Sequence, residues 1–258
     1  MDLGLRGKTI VVSGASRGIG RGIAEALAAE GTRVVLCARG AERLNEAVDR
    51  IREAGGEAVG VPLDIVESTA GDRLVEAAMT SFGSFNGILL SAAGNRRGAV
   101  VDLTDADWRE LIELNLLAQE RLARASARHL AEQGAGSILF VSSIFGRESG
   151  GPGLAIYNTT KSAIISLAKI LSLELAPRGV RVNSLAPGSI RFPGGSWDER
   201  VKKDPEGMAV FIEKNLPCGR FGTVSEVAAV ATFLMSERAS WVTGACWTVD
   251  GGQSKSLI

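Results

Sequence analysis

Short apolar runs alternate with longer segments of helical periodicity along most of the chain. The first run, Thr9–Ser13, ends at a glycine-rich turn and is followed by helix-like apolar spacing through Ala29. Further predicted strands are Arg33–Ala38, Ala58–Leu63, Gly87–Ser91, Ser137–Val141, Val180–Leu185 and Cys246–Val249. Further predicted helices are Ala41–Ala54, Ser68–Ser81, Asp105–Glu132 and Leu154–Ala176. This alternation predicts an α/β fold in which a doubly wound parallel sheet is covered by helices on both faces.

The periodicity breaks between Pro187 and Thr223, where prolines and glycines recur. This connection leaves the carboxyl end of a strand, which is where open α/β sheets bind ligands, so we interpret about residues 188–222 as a mobile lid over a substrate. Its large apolar side chains either face an apolar ligand or pack the lid onto the rest of the protein; they are Trp197, Met208 and Phe211. No linker divides the chain, so residues 1–258 are predicted to form a single domain.

The composition mainly excludes classes of function. Lysine plus arginine balance aspartate plus glutamate at 29 each, so no net field attracts nucleic acid or an anionic membrane surface. We expect neither a signal peptide nor a membrane span, because no apolar run reaches the required length. Cys37, Cys218 and Cys246 are scattered and form no metal motif with the single histidine, His129. A cytoplasmic protein with reduced thiols and no bound metal is therefore predicted.

The turn after the first predicted strand has the composition of a phosphate-binding loop. Glycines let backbone amides approach a pyrophosphate closely, and the start of the following helix adds unpaired N–H groups and a favourable dipole. Such a turn can also be only a tight connection, but its position between the first strand and a helix favours dinucleotide binding. The predicted contacts are Gly14, Ser16, Arg17, Gly18, Ile19 and Gly20.

The end of the second predicted strand indicates which dinucleotide binds. NAD sites usually place a carboxylate there to accept the ribose 2′-hydroxyl, whereas here Arg39 follows the strand and no acid occurs before Glu42. A guanidinium forms bidentate, charge-assisted hydrogen bonds to phosphate, so Arg39 and Arg17 suit the 2′-phosphate of NADP(H). NADP(H) is therefore favoured over NAD(H); the alternative is that these arginines are solvated surface charges.

Tyr157 and Lys161 are the candidate chemical pair. They stand four residues apart in a predicted helix, so their side chains leave one face a turn apart. A nearby ammonium stabilises phenolate and lowers the pKa of a tyrosine from its usual value of about 10, which brings proton transfer toward neutral pH. Ser142 and Ser143 follow a predicted strand, and a hydroxyl there could bind the same substrate oxygen. The alternative is an interfacial aromatic residue beside a solvated lysine.

Together these motifs resemble the short-chain dehydrogenase/reductase family, in the single-domain branch typified by 3-oxoacyl carrier-protein reductases. The similarity extends from Leu5 to Gly252, and the glycine-rich turn matches the family pattern except that serine replaces its first threonine. The resemblance implies a Rossmann-type sheet of about seven strands and a catalytic set of Asn115, Ser143, Tyr157 and Lys161. It adds further expected cofactor contacts, besides Tyr157 and Lys161; these are Asp64, Ile65, Ala93, Gly94, Pro187, Gly188 and Ile190.

The resemblance also implies the reaction. Ser143 and Tyr157 would bind a carbonyl or alcohol oxygen while hydride passes to or from the nicotinamide, with Tyr157 as acid in reduction and base in oxidation. Lys161 would tune the tyrosine and hold the nicotinamide ribose, and Asn115 would hold a water in a proton relay. The expected partners are a small ketone or secondary alcohol, with 3-oxoacyl compounds among the candidates, and other copies of the chain in a homotetramer. The apolar run Trp241–Trp247 also favours that assembly.

Several positions depart from the family pattern. The family's Asn-Asn-Ala-Gly is Ser91-Ala92-Ala93-Gly94 here, and Phe192 stands where relatives often have a threonine that bonds the nicotinamide carboxamide. The basic residue common in carrier-protein reductases is replaced by Gln133-Gly134-Ala135-Gly136, which weakens the case for a carrier-protein substrate. A dinucleotide-binding regulatory or structural protein without turnover is therefore the alternative to an enzyme. Enoyl reduction is disfavoured because its tyrosine and lysine are more widely spaced.

Overall fold

One sheet of seven strands organises the part of the chain that the structure describes. The computed structural model describes residues 1–257, and all neighbouring strands within them pair in parallel, as predicted. Strands buried on both faces form continuous apolar runs, which is why the predicted and observed boundaries nearly coincide. The strands are β1 (Thr9–Ser13), β2 (Arg33–Ala38), β3 (Ala58–Pro62), β4 (Gly87–Leu90), β5 (Gly136–Val141), β6 (Val180–Pro187) and β7 (Cys246–Val249).

The order of the strands is β3-β2-β1-β4-β5-β6-β7. The chain builds outward from β1 through β2 to β3, crosses to the other side of β1, and continues outward from β4 to β7. In the register of the pairs, Val12 of β1 lies opposite Leu36 of β2 and Leu89 of β4. Because the connections after β1 and β4 run in opposite directions, a crevice opens between the carboxyl ends of these strands, which is where such sheets bind ligands.

Helices cover both faces of this sheet. Ile10 and Val12 of β1 belong to the apolar core on one face of the sheet, whereas Val11 belongs to the core on the other face. This two-residue period places one apolar core on each face and explains why β1 is buried along its whole length. The helices are α1 (Gly18–Ala29), α2 (Ala41–Glu53), α3 (Ala70–Phe82), α4 (Asp105–Ile112), α5 (Ala118–Gln133), α6 (Ala155–Leu175), α7 (Ser196–Lys203), α8 (Pro205–Asn215) and α9 (Val224–Met235).

A π-helical turn divides the segment predicted as one helix over 105–132. α4 begins at a capping box, in which the Thr104 hydroxyl accepts a hydrogen bond from the Asp107 amide and the Asp107 carboxylate accepts one from the Thr104 amide. Residues Glu113–Leu117 form the π-helical turn, and α5 continues from it. Turns of this kind are frequent at functional sites, and this one contains the predicted catalytic residue Asn115.

The segment predicted as a lid, 188–222, contains two short helices, α7 and α8. The second begins with Pro205, whose fixed φ suits the first position of a helix. The centre of the Trp197 ring lies 4.8 Å from that of Phe211 and 5.2 Å from that of Phe221. These aromatic side chains pack against one another, so the structure favours packing within the lid over a set of rings turned toward a ligand.

α9 lies outside the predicted elements. Its sequence, VSEVAAVATFLM, is apolar on nearly every side and therefore shows no clear helical period. Thr223 and Glu226 form a capping box at its start, which is the signal that could have indicated it. The helix packs closely on α1, where a side chain at Gly22 would collide with Val224. Within the described residues, no helix is both long enough and apolar enough to span a membrane.

Candidate active site

The glycine-rich turn joins β1 to α1 at the crevice. Gly14 adopts a φ of +67° and Gly18 one of +59°, and a side chain at Gly14 would place its Cβ 2.7 Å from the Ala92 amide nitrogen. Both positions therefore require glycine. α1 begins without a side-chain cap and without an acidic residue in its first turn, so neither of these groups offsets the charge of its N-terminal amides. These properties fit the pyrophosphate of a dinucleotide.

Two arginines and an aspartate follow β1, β2 and β3 on one side of this crevice. Arg17 and Arg39 are exposed, and neither forms an ion pair with a described residue. Their guanidinium groups are therefore available to a phosphate. Asp64 accepts a hydrogen bond from the Val66 amide at 3.2 Å, and Ile65 between them is buried. The three charged positions come together at one edge of the sheet because parallel strands end on the same side.

An aromatic side chain of the segment predicted as a lid lies against the glycine-rich turn. A side chain at Gly18 would place its Cβ 2.6 Å from Cζ of Phe192, and one at Gly195 would come within 2.8 Å of the same ring. Phe192 is held in a tight turn, where its carbonyl oxygen accepts a hydrogen bond from the Gly195 amide at 3.0 Å. Asp198 pairs with Arg191 at 3.0 Å and stabilises the same turn. The ring therefore covers part of the surface that would face a pyrophosphate.

Asn115 fastens the chain after β4 to α6. Its Oδ1 accepts a hydrogen bond from the Gly94 amide at 2.7 Å, and its Nδ2 donates to the Gly94 carbonyl at 2.9 Å and to Oγ1 of Thr160 at 3.2 Å. Both N–H groups of the amide are thus used within the protein. These two N–H groups are not free to hold the predicted water, because they already donate to the Gly94 carbonyl and to Thr160 on either side of the crevice.

Two hydrogen bonds hold the segment after β4, where Ser91 and Ala92 replace the two asparagines of the family pattern. The Ser91 amide donates to Oγ of Ser13 at 3.2 Å, which ties the end of β4 to the end of β1. Nε2 of Gln119 donates to the Ala92 carbonyl at 2.6 Å, which ties the same segment to α5. These two bonds fix the backbone here without the asparagines that the family pattern contains.

Ser143 and Tyr157 meet at the carboxyl end of β5. Ser143 is buried, and its Oγ accepts a hydrogen bond from the Phe145 amide at 3.2 Å. Its hydroxyl is near the phenol of Tyr157, which extends from the first turn of α6. Burial raises the pKa of Tyr157 above its usual value, and the nearby Ser143 hydroxyl opposes that rise only in part. The predicted lowering of this pKa is therefore not found in the structure, because desolvation is the larger effect.

Lys161 is buried beside the tyrosine and is only 4% exposed. Its Nζ donates to the Val141 carbonyl oxygen at 2.8 Å and lies 5.7 Å from the centre of the Tyr157 ring. No carboxylate of the described chain pairs with it, and desolvation lowers its pKa to about 8. At neutral pH the amine is therefore still mostly charged, and it places a positive charge near the tyrosine.

Residues beside the predicted pair hold it in place. Nδ2 of Asn158 donates to the Phe145 carbonyl, and its Oδ1 accepts a hydrogen bond from the Gly150 amide at 2.9 Å. Oγ of Ser142 donates to the Lys161 carbonyl at 2.8 Å. These bonds fasten the glycine-rich chain before α6 to the first turns of that helix. The sequence shows only that Ser142 and Asn158 are adjacent to Ser143 and Tyr157. It does not show these hydrogen bonds, because the bonded groups are distant along the chain.

The chain after β6 completes the crevice. The Gly188 amide donates to the Val249 carbonyl at 3.0 Å, and a side chain at Gly188 would place its Cβ 2.6 Å from that of Asp250. Ile190 is buried and forms an isolated bridge with Gly222. Its own amide makes no hydrogen bond within the described residues, so this donor is available to a ligand.

The predicted site residues therefore share the carboxyl edge of the sheet. A cavity of about 570 Å³ opens at the opposite edge, near the amino ends of β1, β4, β5 and β6, with Lys8, Arg181 and Trp241 among its lining residues. It contains none of the predicted site residues. Among the residues that the structure describes, no cluster of three histidine, cysteine, aspartate or glutamate side chains is arranged to hold a metal ion.

Comparison with proteins of known sequence identifies relatives over nearly the whole chain. A family model described as Enoyl-(Acyl carrier protein) reductase matches residues 14–254. The Short-chain reductase protein NovJ of Streptomyces niveus is 36% identical over 245 residues, which cover 94% of this chain and 92% of that protein. The 3-oxoacyl-[acyl-carrier-protein] reductase FabG of Aquifex aeolicus is 33% identical, with 98% of this chain and 99% of that protein covered.

Solved structures have the same fold. L-sorbose reductase from Gluconobacter frateurii, complexed with NADPH and L-sorbose, matches with a TM-score of 0.93 at 33% identity, and 100% of each chain is covered. A 7 alpha-hydroxysteroid dehydrogenase complexed with NADH and 7-oxo glycochenodeoxycholic acid matches with a TM-score of 0.90 at 29% identity, over 100% of this chain and 98% of that one. These two proteins differ in cofactor and in substrate. Similarity to them therefore identifies the family of this chain, but neither its cofactor nor its substrate.

Proposed function

This chain belongs to the short-chain dehydrogenase/reductase family of NAD(P)-dependent oxidoreductases, and we propose that it interconverts a ketone and a secondary alcohol with NADP(H). The observation that carries this proposal is the position of Tyr157 beside the buried Lys161, whose Nζ lies 5.7 Å from the centre of the phenol ring, with the Ser143 hydroxyl close enough to oppose the rise in the pKa of that phenol. A phenol and a hydroxyl in this arrangement can both bond the oxygen of a substrate.

In the reducing direction, Tyr157 donates its proton to the carbonyl oxygen. Burial raises the pKa of Tyr157, so the phenol keeps its proton throughout the neutral range. Ser143 donates a second hydrogen bond to the same oxygen as negative charge develops on it. The nicotinamide, when bound, supplies or accepts the hydride. In the oxidising direction Tyr157 must first lose its proton, and the positive charge of Lys161 stabilises the phenolate.

Asn115 acts in this proposal as a positioning residue. Its bonds to Gly94 and Thr160 hold the end of β4 against the helix that carries Tyr157 and Lys161. A change at Asn115 would therefore alter the distance between the nicotinamide side of the crevice and the phenol. This role is compatible with a water relay that uses the backbone rather than the amide hydrogens.

The proposed preference for NADP(H) rests on the two unpaired arginines. Arg39 directly follows β2, where an NAD site usually has an acid, and Arg17 lies in the glycine-rich turn. Both are exposed and free of carboxylate partners in the described chain, so a 2′-phosphate would not have to displace an existing ion pair. Related proteins are found with NADPH and with NADH, so the preference belongs to these positions and not to the fold.

The test is a turnover assay with NADPH and NADP⁺ on a panel of ketones, 3-oxoacyl thioesters, hydroxy acids and polyols. Tyr157→Phe should retain cofactor affinity but lose about 10²- to 10⁴-fold in kcat, because it removes proton transfer but not the dinucleotide site. Ser143→Ala should lose less, since the phenol alone can still bond the oxygen. Wild-type turnover by Tyr157→Phe would refute the mechanism. NADPH binding without turnover of any compound would favour a regulatory protein.

Enoyl reduction is the second candidate reaction, because the matching family model carries that description. The four-residue separation of Tyr157 and Lys161 favours carbonyl reduction instead, as does the nearby Ser143 hydroxyl, which can share the substrate oxygen. An enoyl thioester in the same panel decides between them. Reduction of its carbon–carbon double bond at a rate above that of every ketone would reverse the assignment.

We further propose a homotetramer located in the cytoplasm. α6 presents exposed Ile170 and Leu173, and Trp241 and Trp247 near the C-terminus are also exposed, which leaves apolar area for other copies to cover. The three cysteines are unpaired, which suits a reducing compartment. Light scattering at micromolar concentration should return four times the chain mass. A monomer mass would contradict the assembly but not the reaction.

A further inference from the structure

The chain turns sharply after β7. Asp250 stabilises this turn, because its carboxylate accepts hydrogen bonds from the Gly252 amide at 3.0 Å and from the Ser254 amide at 2.7 Å. Its carbonyl oxygen accepts a third hydrogen bond, from the Gln253 amide at 3.2 Å. Residues 253–256, here named the strap, follow this turn. Their direction is therefore fixed from the end of the sheet onward.

The strap is bonded first to the chain after β6. Oε1 of Gln253 accepts a hydrogen bond from the Ser189 amide at 2.8 Å. The same oxygen would lie only 2.7 Å from a Cβ at Gly188, so the strap and this segment are in direct contact. Gly188 and Ile190, on either side of Ser189, are predicted cofactor contacts. The strap therefore begins beside the segment that completes the crevice.

The far end of the strap is bonded to Glu148, which lies between β5 and α6. Oε2 of Glu148 accepts hydrogen bonds from the Lys255 amide at 2.8 Å and from the Ser256 amide at 3.0 Å. Hydrogen bonds to a carboxylate are stronger than those between neutral groups. Since β5, β6 and β7 are neighbours in the sheet, a strap that leaves β7 and is bonded beyond β6 and β5 crosses the carboxyl edge of the sheet.

Glu148 is also bonded to the backbone and side chains beside the proposed acid. Its carbonyl oxygen accepts a hydrogen bond from Nδ2 of Asn158 at 2.8 Å, and its amide donates to the Ile144 carbonyl at 3.0 Å. Asn158 directly follows Tyr157, and Ile144 directly follows Ser143. A substrate held between the phenol and the chain after β6 therefore lies between the same two segments that the strap joins.

We propose that Glu148 is a positioning residue that determines substrate specificity: it holds the strap across the substrate side of the crevice and so limits the size of the ketone that reaches Tyr157. The proposal rests on the carbonyl reduction proposed above. Lys255 is exposed, whereas the residues on either side of it are partly covered, so the strap packs one face onto the protein. A bulky ketone must displace the strap and break its two bonds to Glu148, whereas a small ketone does not.

Two variants release the strap by independent means. Glu148→Ala removes the acceptor of both hydrogen bonds, and Lys255→Pro removes one of the two donors, because proline has no amide hydrogen. Lys255→Ala is the matched control, since it keeps the amide and removes only an exposed side chain. Glu148→Gln keeps an oxygen acceptor and should restore most of the wild-type behaviour.

Hydrogen–deuterium exchange measures release of the strap without turnover. The peptide that contains residues 253–256 should exchange faster in Glu148→Ala and in Lys255→Pro than in the wild type, because an amide without an acceptor is open to water. The rate in Lys255→Ala should stay at the wild-type value. Unchanged exchange in Glu148→Ala would overturn the inference, since Glu148 would then not hold the strap.

The kinetic experiment compares small and bulky ketones with NADPH. One series is cyclohexanone against 4-tert-butylcyclohexanone and 4-phenylcyclohexanone, and the other is 2-butanone against 2-undecanone. In each variant that releases the strap, the ratio of kcat/KM for the bulky ketone to that for the small one should rise at least about 10-fold in one series, mainly through a lower KM. The kcat/KM of the small ketone and the dissociation constant of NADPH should stay near the wild-type values.

A ratio that is unchanged or lower in both variants would overturn the inference, while Tyr157-dependent reduction of the small ketones would still support the reaction. A rise in Lys255→Ala as large as that in Lys255→Pro would also overturn it, because the amide would then not be the cause. Absence of turnover of both series by the wild type overturns the inference, and a wholly negative panel overturns the proposed reaction as well.

Discussion

Because of Lys161, the free energy of unfolding should change with pH in the alkaline range by an amount that can be calculated. Its amine is 4% exposed and has a carbonyl oxygen but no carboxylate beside it. Burial lowers its pKa from 10.5 to about 8. Lys161→Met replaces the amine by an apolar group of similar length, so the variant lacks this titration while keeping most of the side-chain volume.

The sign follows from the proton balance between the folded and unfolded chains. Between pH 8 and 10.5 the unfolded chain binds a proton that the folded protein does not, so the free energy of unfolding increases with pH across that interval. Below pH 8 the amine is charged in both the folded and the unfolded chain. The folded protein then bears the full free-energy cost of burying that charge. One pKa unit corresponds to about 1.36 kcal/mol. Between about pH 7 and pH 10, the free energy of unfolding of the wild type should therefore increase by about 2.5 kcal/mol relative to that of Lys161→Met.

Urea unfolding of both proteins, at one protein concentration and without cofactor, measures this gain. Loss of the hydrogen bond to Val141 shifts the stability of Lys161→Met by an amount that does not vary with pH, so only the change in the difference is diagnostic. Lys169→Met is the control, because Lys169 is an exposed lysine on the same helix. Parallel pH profiles for the wild type and Lys161→Met would refute the argument and would mean that the amine is hydrated when the protein is folded.

Three further predictions concern the cofactor and the acid. Tyr157 is the only tyrosine, so near-ultraviolet absorbance should give its pKa directly; we expect a value above about 10 without cofactor, because of burial, and a lower value with NADP⁺, whose charged ring favours phenolate. A value below 10 without cofactor would contradict this. Arg39→Ala should narrow the difference between the dissociation constants of NADPH and NADH by about 10- to 150-fold, and an unchanged ratio in titration would remove Arg39 from the site. Phe192→Ala should bind NADPH up to about 10-fold more tightly, because no ring contact with Gly18 has to be broken; weaker binding by fluorescence titration would show that the ring supports the cofactor.

The strands were predictable because each is a short apolar run bounded by turn residues, which is a signal that the local sequence contains. Thr9–Ser13 and Cys246–Val249 have the predicted boundaries. α9 was not predicted, since a helix that is apolar on most sides has no period to detect, and only its capping residues mark it. The two lid helices were missed because prolines and glycines conceal their short periodicity.

The positions of the candidate site residues were predictable, but their interactions were not. The spacing of Tyr157 and Lys161 placed both on one face of α6, and the motif order placed Ser143 near them. The direction of the tyrosine pKa shift was wrong, because it depends on how deeply the phenol is buried, which no local pattern records. The bond from Asn115 to Thr160 joins residues far apart in sequence and emerges only when β4, the π-helical turn and α6 come together.

The contact between the Phe192 ring and Gly18 implies an order in which the dinucleotide and the substrate bind. A dinucleotide that enters the glycine-rich turn must displace this ring, and the ring belongs to the short turn, stabilised by Asp198, that leads into α7. α7 belongs to the segment proposed to cover the substrate, so this cover takes its final position only after the dinucleotide is in place. The enzyme should therefore follow a compulsory-order kinetic scheme, in which the dinucleotide is the first ligand to bind and the last to leave.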